Sequence, residues 1–204
     1  MTKIKLCGLS RPCDIAYVNE LRPEYIGFIF ARKSKRYVSP EQAAALKAEL
    51  SPGILAVGVF VNEPIESIAA LLQCGTIDVA QLHGAETEDD ISALRALTSK
   101  PIIKAFRIDT EADIRAAQAS SADYVLLDSG SGGTGTAFDW RLIQKMERPY
   151  FLAGGLNPDN VAGAVAALHP YAVDVSSGIE TAGYKDPEKM RSFVCAVRRK
   201  DDAQ

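Results

Sequence analysis

Two ionisable side chains stand where short apolar runs end. Asp128 follows Tyr124-Val125-Leu126-Leu127, and Cys7 follows Ile4-Lys5-Leu6. A thiolate is a competent base and a protonated carboxyl a competent acid, so the pair could move protons on two sides of one substrate. The free-residue values of ~8.5 for a thiol and ~3.9 for a carboxyl put both groups in the wrong state at neutral pH. Any such chemistry therefore needs a tuned environment. The plainer readings are an aspartate that opens a turn and a cysteine that acts as a small buried hydrophobe. Position favours chemistry, because a polar residue at the end of a buried strand sits at the mouth of a fold.

Asp128 opens the run Ser129-Gly130-Ser131-Gly132-Gly133-Thr134-Gly135, followed by Phe138-Asp139-Trp140. Successive glycines cannot hold a strand, but they let main-chain N–H groups approach an anion. Two further segments suit a phosphate: Ala153-Gly154-Gly155-Leu156-Asn157 and Ser176-Ser177-Gly178. Gly155, Ser177 and Gly178 are the candidate phosphate binders, with the alternative that both segments are ordinary tight turns. Arg36, in the basic stretch Ala31-Arg32-Lys33-Ser34-Lys35-Arg36-Tyr37, could clamp a carboxylate bidentately or belong to a solvated surface. His83, in Gln81-Leu82-His83-Gly84, suits ligand orientation or proton shuttling as well as it suits a structural role. Lys104 raises a separate possibility, a Schiff-base lysine.

The elements that must hold these residues alternate without a break. Strands are expected at residues 4–6, 25–30, 55–61, 79–82, 102–106, 124–127, 150–152 and 172–175. Helices are expected to start near Pro12, Pro40, Pro64, Glu88, Glu111, Trp140, Pro158 and Pro187. Ser39-Pro40, Asn157-Pro158 and Asp186-Pro187 each pair an N-cap with proline at the first helical position. In the seventh helix Val161, Ala164, Val165 and Leu168 make one apolar stripe. Such alternation defines an α/β fold, either a closed (β/α)8 TIM barrel or an open doubly wound sheet. Closure is favoured. Cys7-Gly8-Leu9-Ser10 replaces the G-x-G-x-x-G of a dinucleotide fold, and the polar candidates end several different strands. Strand parity then turns Lys5, Cys7 and Asp174 inward, and strands one and eight become neighbours, which predicts a Lys5–Asp174 ion pair.

A chain of 204 residues, 47% hydrophobic and 24% charged, reads as one domain over 1–204, with 198–204 a solvated tail. A net charge of −3 offers no basic surplus for a nucleic-acid partner. No apolar run is long enough for a membrane span and no leader follows Met1, so a cytoplasmic location is expected. Cys7, Cys13, Cys74 and Cys195 lack C-x-x-C spacing, which argues against zinc and a disulfide framework.

Taken together, these segments resemble the phosphoribosylanthranilate isomerases of tryptophan biosynthesis, over nearly the whole chain. The matching motifs are Lys5-Leu6-Cys7-Gly8-Leu9-Ser10, Gly27-Phe28-Ile29-Phe30, Ser34-Lys35-Arg36-Tyr37-Val38, Val57-Gly58-Val59-Phe60-Val61-Asn62 and Gln81-Leu82-His83-Gly84. Leu127-Asp128-Ser129, the glycine-rich run, Phe138-Asp139-Trp140, Leu152 to Pro158 and Asp174 to Glu180 complete the likeness. Departures are mild: Leu6, Ser10, Lys35 and Ala80 stand where the family often has isoleucine, threonine, proline and valine. The resemblance implies a metal-free, cofactor-free Amadori isomerase acting on a small phosphorylated substrate, as a monomer or homodimer. It makes Asp128 the acid and Cys7 the base, with the phosphate on Gly155, Ser177 and Gly178 and a substrate carboxylate near Arg36. A histidine-pathway type isomerase, a lysine aldolase using Lys104 and a non-catalytic phosphate-binding barrel are the competing readings.

Overall fold

A computed structural model describes residues 1–128, 140–143 and 145–201. The glycine-rich run and Phe138-Asp139, singled out above, lie outside the described residues. Eight parallel strands close into a barrel in sequence order: β1 (Lys3–Cys7), β2 (Tyr25–Ile29), β3 (Leu55–Phe60), β4 (Val79–Leu82), β5 (Ile102–Arg107), β6 (Tyr124–Asp128), β7 (Tyr150–Ala153) and β8 (Ala172–Val175). β1 pairs with β8 to seal it, with Lys5 opposite Asp174 and Leu6 opposite Val175. Around the barrel run α1 (Pro12–Leu21), α2 (Pro40–Ala48), α3 (Ile65–Gln73), α4 (Glu88–Leu97), α5 (Glu111–Ala119), α6 (Trp140–Ile143), α7 (Val161–Leu168) and α8 (Pro187–Asp201). After β8 a 3₁₀ turn (Ser177–Ile179) leads into a hairpin of β9 (Glu180–Thr181) and β10 (Tyr184–Lys185). Among the described residues no helix is long and apolar enough to cross a membrane.

Alternation along the strands sorts the core into two layers. Ile4 and Leu6 of β1, Ile26 and Phe28 of β2 and Val125 and Leu127 of β6 face the helices. Tyr25, Val57, Val79, Ile103, Leu126 and Phe151 fill the barrel's interior. The apolar stripe on α7 is buried as expected. Lys104 falls between inward-facing Ile103 and Ala105, so its side chain leaves the barrel and meets Glu86 at 2.9 Å and the Gly84 carbonyl at 2.7 Å.

Local chemistry sets the element ends. Ser39 caps α2 by accepting from the Gln42 N–H. Asp186 does the same for α8, accepting from the N–H groups of Glu188 and Lys189. α7 begins at Val161 and not at Pro158. The Asn157 side chain accepts from the N–H groups of Asp159 and Asn160, while that of Asn160 accepts from Asn157, which makes residues 158–160 a turn ahead of the helix. The tail expected over 198–204 does not begin at 198. α8 continues to Asp201, and Arg198 meets Glu24 at 2.7 Å, while residues 202–204 lie outside the description.

Candidate active site

Cys7 and Asp128 are the last residues of β1 and β6, and both line a cavity of about 410 Å³ at the C-terminal mouth of the barrel. Its wall also carries His83, Gln81 and Asp174, and the Gly154-Gly155 and Ser176-Ser177 loops reach its rim. A cavity of this size, largely apolar in its lining but with titratable groups facing one another from separate strands, suits a small substrate with a few polar groups.

Space around Cys7 is made by glycine. A Cβ at Gly27, its partner on β2, would stand 2.6 Å from the Cys7 sulfur. Beneath it the Lys5 ammonium is wholly buried and 3.0 Å from Asp174 Oδ1, the ion pair expected from parity. Burial pulls the Lys5 ammonium down, but Asp174 and Cys7 outweigh it and hold Lys5 above its ordinary value. Burial likewise pushes the Cys7 thiol up, and the Lys5 charge is the strongest influence in the other direction, without reversing the shift.

On the far side His83 Nε2 lies 3.6 Å from Asp128 Oδ2, and its Nδ1 lies 2.8 Å from the Gln81 amide nitrogen. An amide N–H donating to Nδ1 leaves the imidazole proton on Nε2, facing the carboxylate. Gln81 Oε1 is buried, and no described residue partners it.

The two candidate phosphate loops interlock. A Cβ at Gly178 would stand 1.9 Å from the Leu156 carbonyl oxygen, so only glycine lets the loops after β7 and β8 touch. Gly155, with φ of 62°, adopts the left-handed region. The structure thus brings Gly155 and Ser177 to the wall of the cavity that Cys7 lines, while Gly178 packs against Leu156 and is not part of that lining.

Arg36 lies beside this site, with its stem packed over Gly8, and is not among the residues that line the cavity. Its guanidinium is gripped bidentately by Glu180, with Nε and Nη2 each donating at 2.6 Å. Glu180 receives a second cation, Lys185 Nζ at 2.6 Å, which also donates to the Ser176 carbonyl at 2.9 Å. Neither Glu180 nor Lys185 stood out in the sequence as a site residue. Lys185 reaches Ser176 of the cavity wall because the hairpin sets it opposite Glu180, and a two-residue strand leaves no periodic signal. Among the described residues no group of three or more His, Cys, Asp or Glu side chains converges as a metal site.

Comparison with known proteins fits this arrangement. A curated N-(5'-phosphoribosyl)anthranilate isomerase from Thermoanaerobacter pseudethanolicus is 46% identical over 204 residues, covering 97% of this chain and 98% of its own. A solved phosphoribosyl anthranilate isomerase in complex with reduced 1-(o-carboxyphenylamino)-1-deoxyribulose 5-phosphate superimposes with a TM-score of 0.87 and 35% identity, over 98% of this chain and 100% of that one. Monomers generated from the dimeric enzyme of Thermotoga maritima give a TM-score of 0.86, again at 35% identity and with 98% and 100% coverage. The family model for N-(5'phosphoribosyl)anthranilate (PRA) isomerase matches residues 4–196, from the strand that ends in Cys7 to the closing helix, and the chain belongs to that family.

Proposed function

We propose that this protein converts N-(5-phosphoribosyl)anthranilate into 1-(2-carboxyphenylamino)-1-deoxyribulose 5-phosphate by general acid and base catalysis, as a step of tryptophan biosynthesis in the cytoplasm. The observation that carries the reading is the placement of Cys7 and Asp128 on one cavity from strands β1 and β6. Asp128 gives a proton to the ribose ring oxygen, and the C1′–O bond breaks as the anthranilate nitrogen lone pair forms the Schiff base. Cys7, as thiolate, then removes the C2′ proton, and the electron pair moves to give an enolamine. Protonation at C1′ with loss of the 2′-hydroxyl proton completes the ketone. Product and substrate are isomers, so no external oxidant or reductant is required.

The rim formed by Gly155, Ser177 and Gly178 is assigned to the 5-phosphate, a group remote from the reacting carbons whose binding energy goes into orientation. Arg36 is assigned to the anthranilate carboxylate. Its fork is occupied by Glu180, so a ligand carboxylate must share it or displace Glu180. The aldolase alternative is disfavoured by Lys104, which points out of the barrel and is held by Glu86.

The decisive assay follows loss of anthranilate fluorescence with freshly prepared substrate, and folded protein without turnover would end the proposal. Asp128→Asn should lower turnover by about 10²–10⁴-fold, the usual scale for a positioned acid. With deuterium at C2′, Cys7→Ser should keep or raise a primary isotope effect, and Asp128→Asn should not. Near-normal turnover in Cys7→Ser would overturn the base assignment.

A further inference from the structure

The charges packed beside Cys7 do not cancel in pairs. Lys5 and Asp174 match one to one at 3.0 Å. Arg36 and Lys185 share a single carboxylate, Glu180, each at 2.6 Å. Lys185 is buried as deeply as a core residue, with its side chain 2% exposed, so water cannot neutralise the surplus. The groups around this cluster reach the residue after the base: both the Arg36 stem and the Ser176 hydroxyl crowd the position a Cβ would take at Gly8. That same Ser176 hydroxyl lies 3.3 Å from Lys185 Nζ. Across the cavity Asp128 and His83 face one another at 3.6 Å.

We propose that Lys185 is a positioning residue for Cys7: its charge, left over once Glu180 is shared with Arg36, is the one that a Cys7 thiolate balances. On this account the hairpin β9–β10 is part of the base's surroundings, and it links the carboxylate-clamping arginine to the ionisation of the thiol. The inference rests on Cys7 being the base for its functional meaning, but the charge balance itself is a property of the folded protein. The electrostatic pulls agree with it. Burial draws the Lys185 ammonium below its ordinary value, Glu180 and then Cys7 counter that draw without reversing it, and Lys185, less strongly than Lys5, favours the Cys7 thiolate. Glu180, which burial pushes up, is kept below its ordinary value by Arg36 and Lys185.

The test is the pH dependence of Cys7 alkylation by iodoacetamide, followed on the Cys7 peptide by mass spectrometry so that exposed Cys13, Cys74 and Cys195 do not contribute. Only the thiolate reacts. Lys185→Met should raise the midpoint by about one pH unit, the low end for loss of a close opposite charge, and slow alkylation about tenfold at pH 7.5. Lys185→Arg should restore it. Glu180→Gln should move the midpoint the other way, because both cations lose their shared partner while the side-chain shape is kept. A midpoint unmoved by Lys185→Met, or displaced in the same direction by Lys185→Met and Glu180→Gln, overturns the proposal. If Lys185→Met does not fold, a midpoint unmoved or raised in Glu180→Gln overturns it alone. Failure of the base assignment gives a different result: Cys7→Ser retains turnover, while the alkylation shifts persist.

Discussion

The pair Lys5–Asp174 invites a measurement because each partner makes the other tolerable. Lys5 is 0% and Asp174 9% exposed, and they meet at 3.0 Å. At that separation the gross attraction is about 5–6 kcal/mol for an effective dielectric of ~20, much of it offset by the hydration both ions forgo. Asp174→Asn keeps the shape but strands a buried ammonium, and removal of one partner of such a pair costs about 3–5 kcal/mol. For a protein of this size that is a fall in Tm of about 6–20 °C, at ~2–4 °C per kcal/mol. Urea unfolding followed by circular dichroism measures the loss directly. The pH dependence has a definite sign. The folded-state value of Lys5 is raised, so its contribution is fully present below the unfolded value of ~10.4 and is lost only as pH rises through the folded value. In Asp174→Asn the main influence opposing burial is gone, so the folded value of Lys5 falls, and the gap from wild type, on the order of the full 3–5 kcal/mol at pH 6, should narrow as pH rises toward ~10.4. Lys5→Met with Asp174→Leu should recover most of it, since apolar replacement of both members removes the stranded charge. A loss under about 1 kcal/mol in the single variant, or no recovery in the double, refutes the reasoning.

Gly178→Ala should force the two rim loops apart, because its Cβ would stand 1.9 Å from the Leu156 carbonyl; a cost of about 1–3 kcal/mol in thermal unfolding and weaker competition by inorganic phosphate are the expected readouts. Glu86 is pushed up by burial, but Lys104 and the Asn62 N–H outweigh this and hold it low. Its contribution is present above the unfolded value of ~4.3 and lost as pH falls through the folded one, so Glu86→Gln should flatten the acid limb of the stability profile. Borohydride with a sugar phosphate should leave no adduct on Lys104, as judged by intact mass, because its ammonium is engaged outside the barrel. The Cys7 thiol is pushed up by burial, so kcat/KM should rise with pH through neutrality until the thiolate dominates, and a flat profile from pH 6 to pH 9 would contradict a Cys7 base.

The fold was legible because each of its signals is local and repeated. Eight short apolar runs, each followed by a helix start, specify the barrel even though several ends differ by a residue or more, as at β1, which begins at Lys3 and reaches Cys7 itself. The Lys5–Asp174 pair was legible for a related reason: parity along β1 and β8 decides which side chains point inward, and barrel closure makes those strands neighbours. Asn157-Pro158 misled by three residues because asparagine side chains compete with the helix for the same backbone N–H groups, and sequence alone does not say which arrangement prevails.

The hairpin cluster was not legible, and the reason bears on how the site works. Arg36 and Glu180 are separated by 144 positions, and Lys185 joins them through a two-residue ladder. No periodicity connects such residues. What connects them is burial, since a cation as enclosed as Lys185 must find a carboxylate, and Glu180 is already committed to Arg36. The arginine that the family resemblance assigns to the substrate is thus held by an acid the protein supplies. On the assignment proposed for Arg36, a substrate carboxylate arriving there would alter the company of Glu180 and, through Lys185, the field at Cys7. On the proposed roles, binding of the anthranilate end and readiness of the base would be two consequences of one charge cluster, which makes Glu180→Gln informative for both: it frees the guanidinium fork and leaves Arg36 and Lys185 without their shared carboxylate.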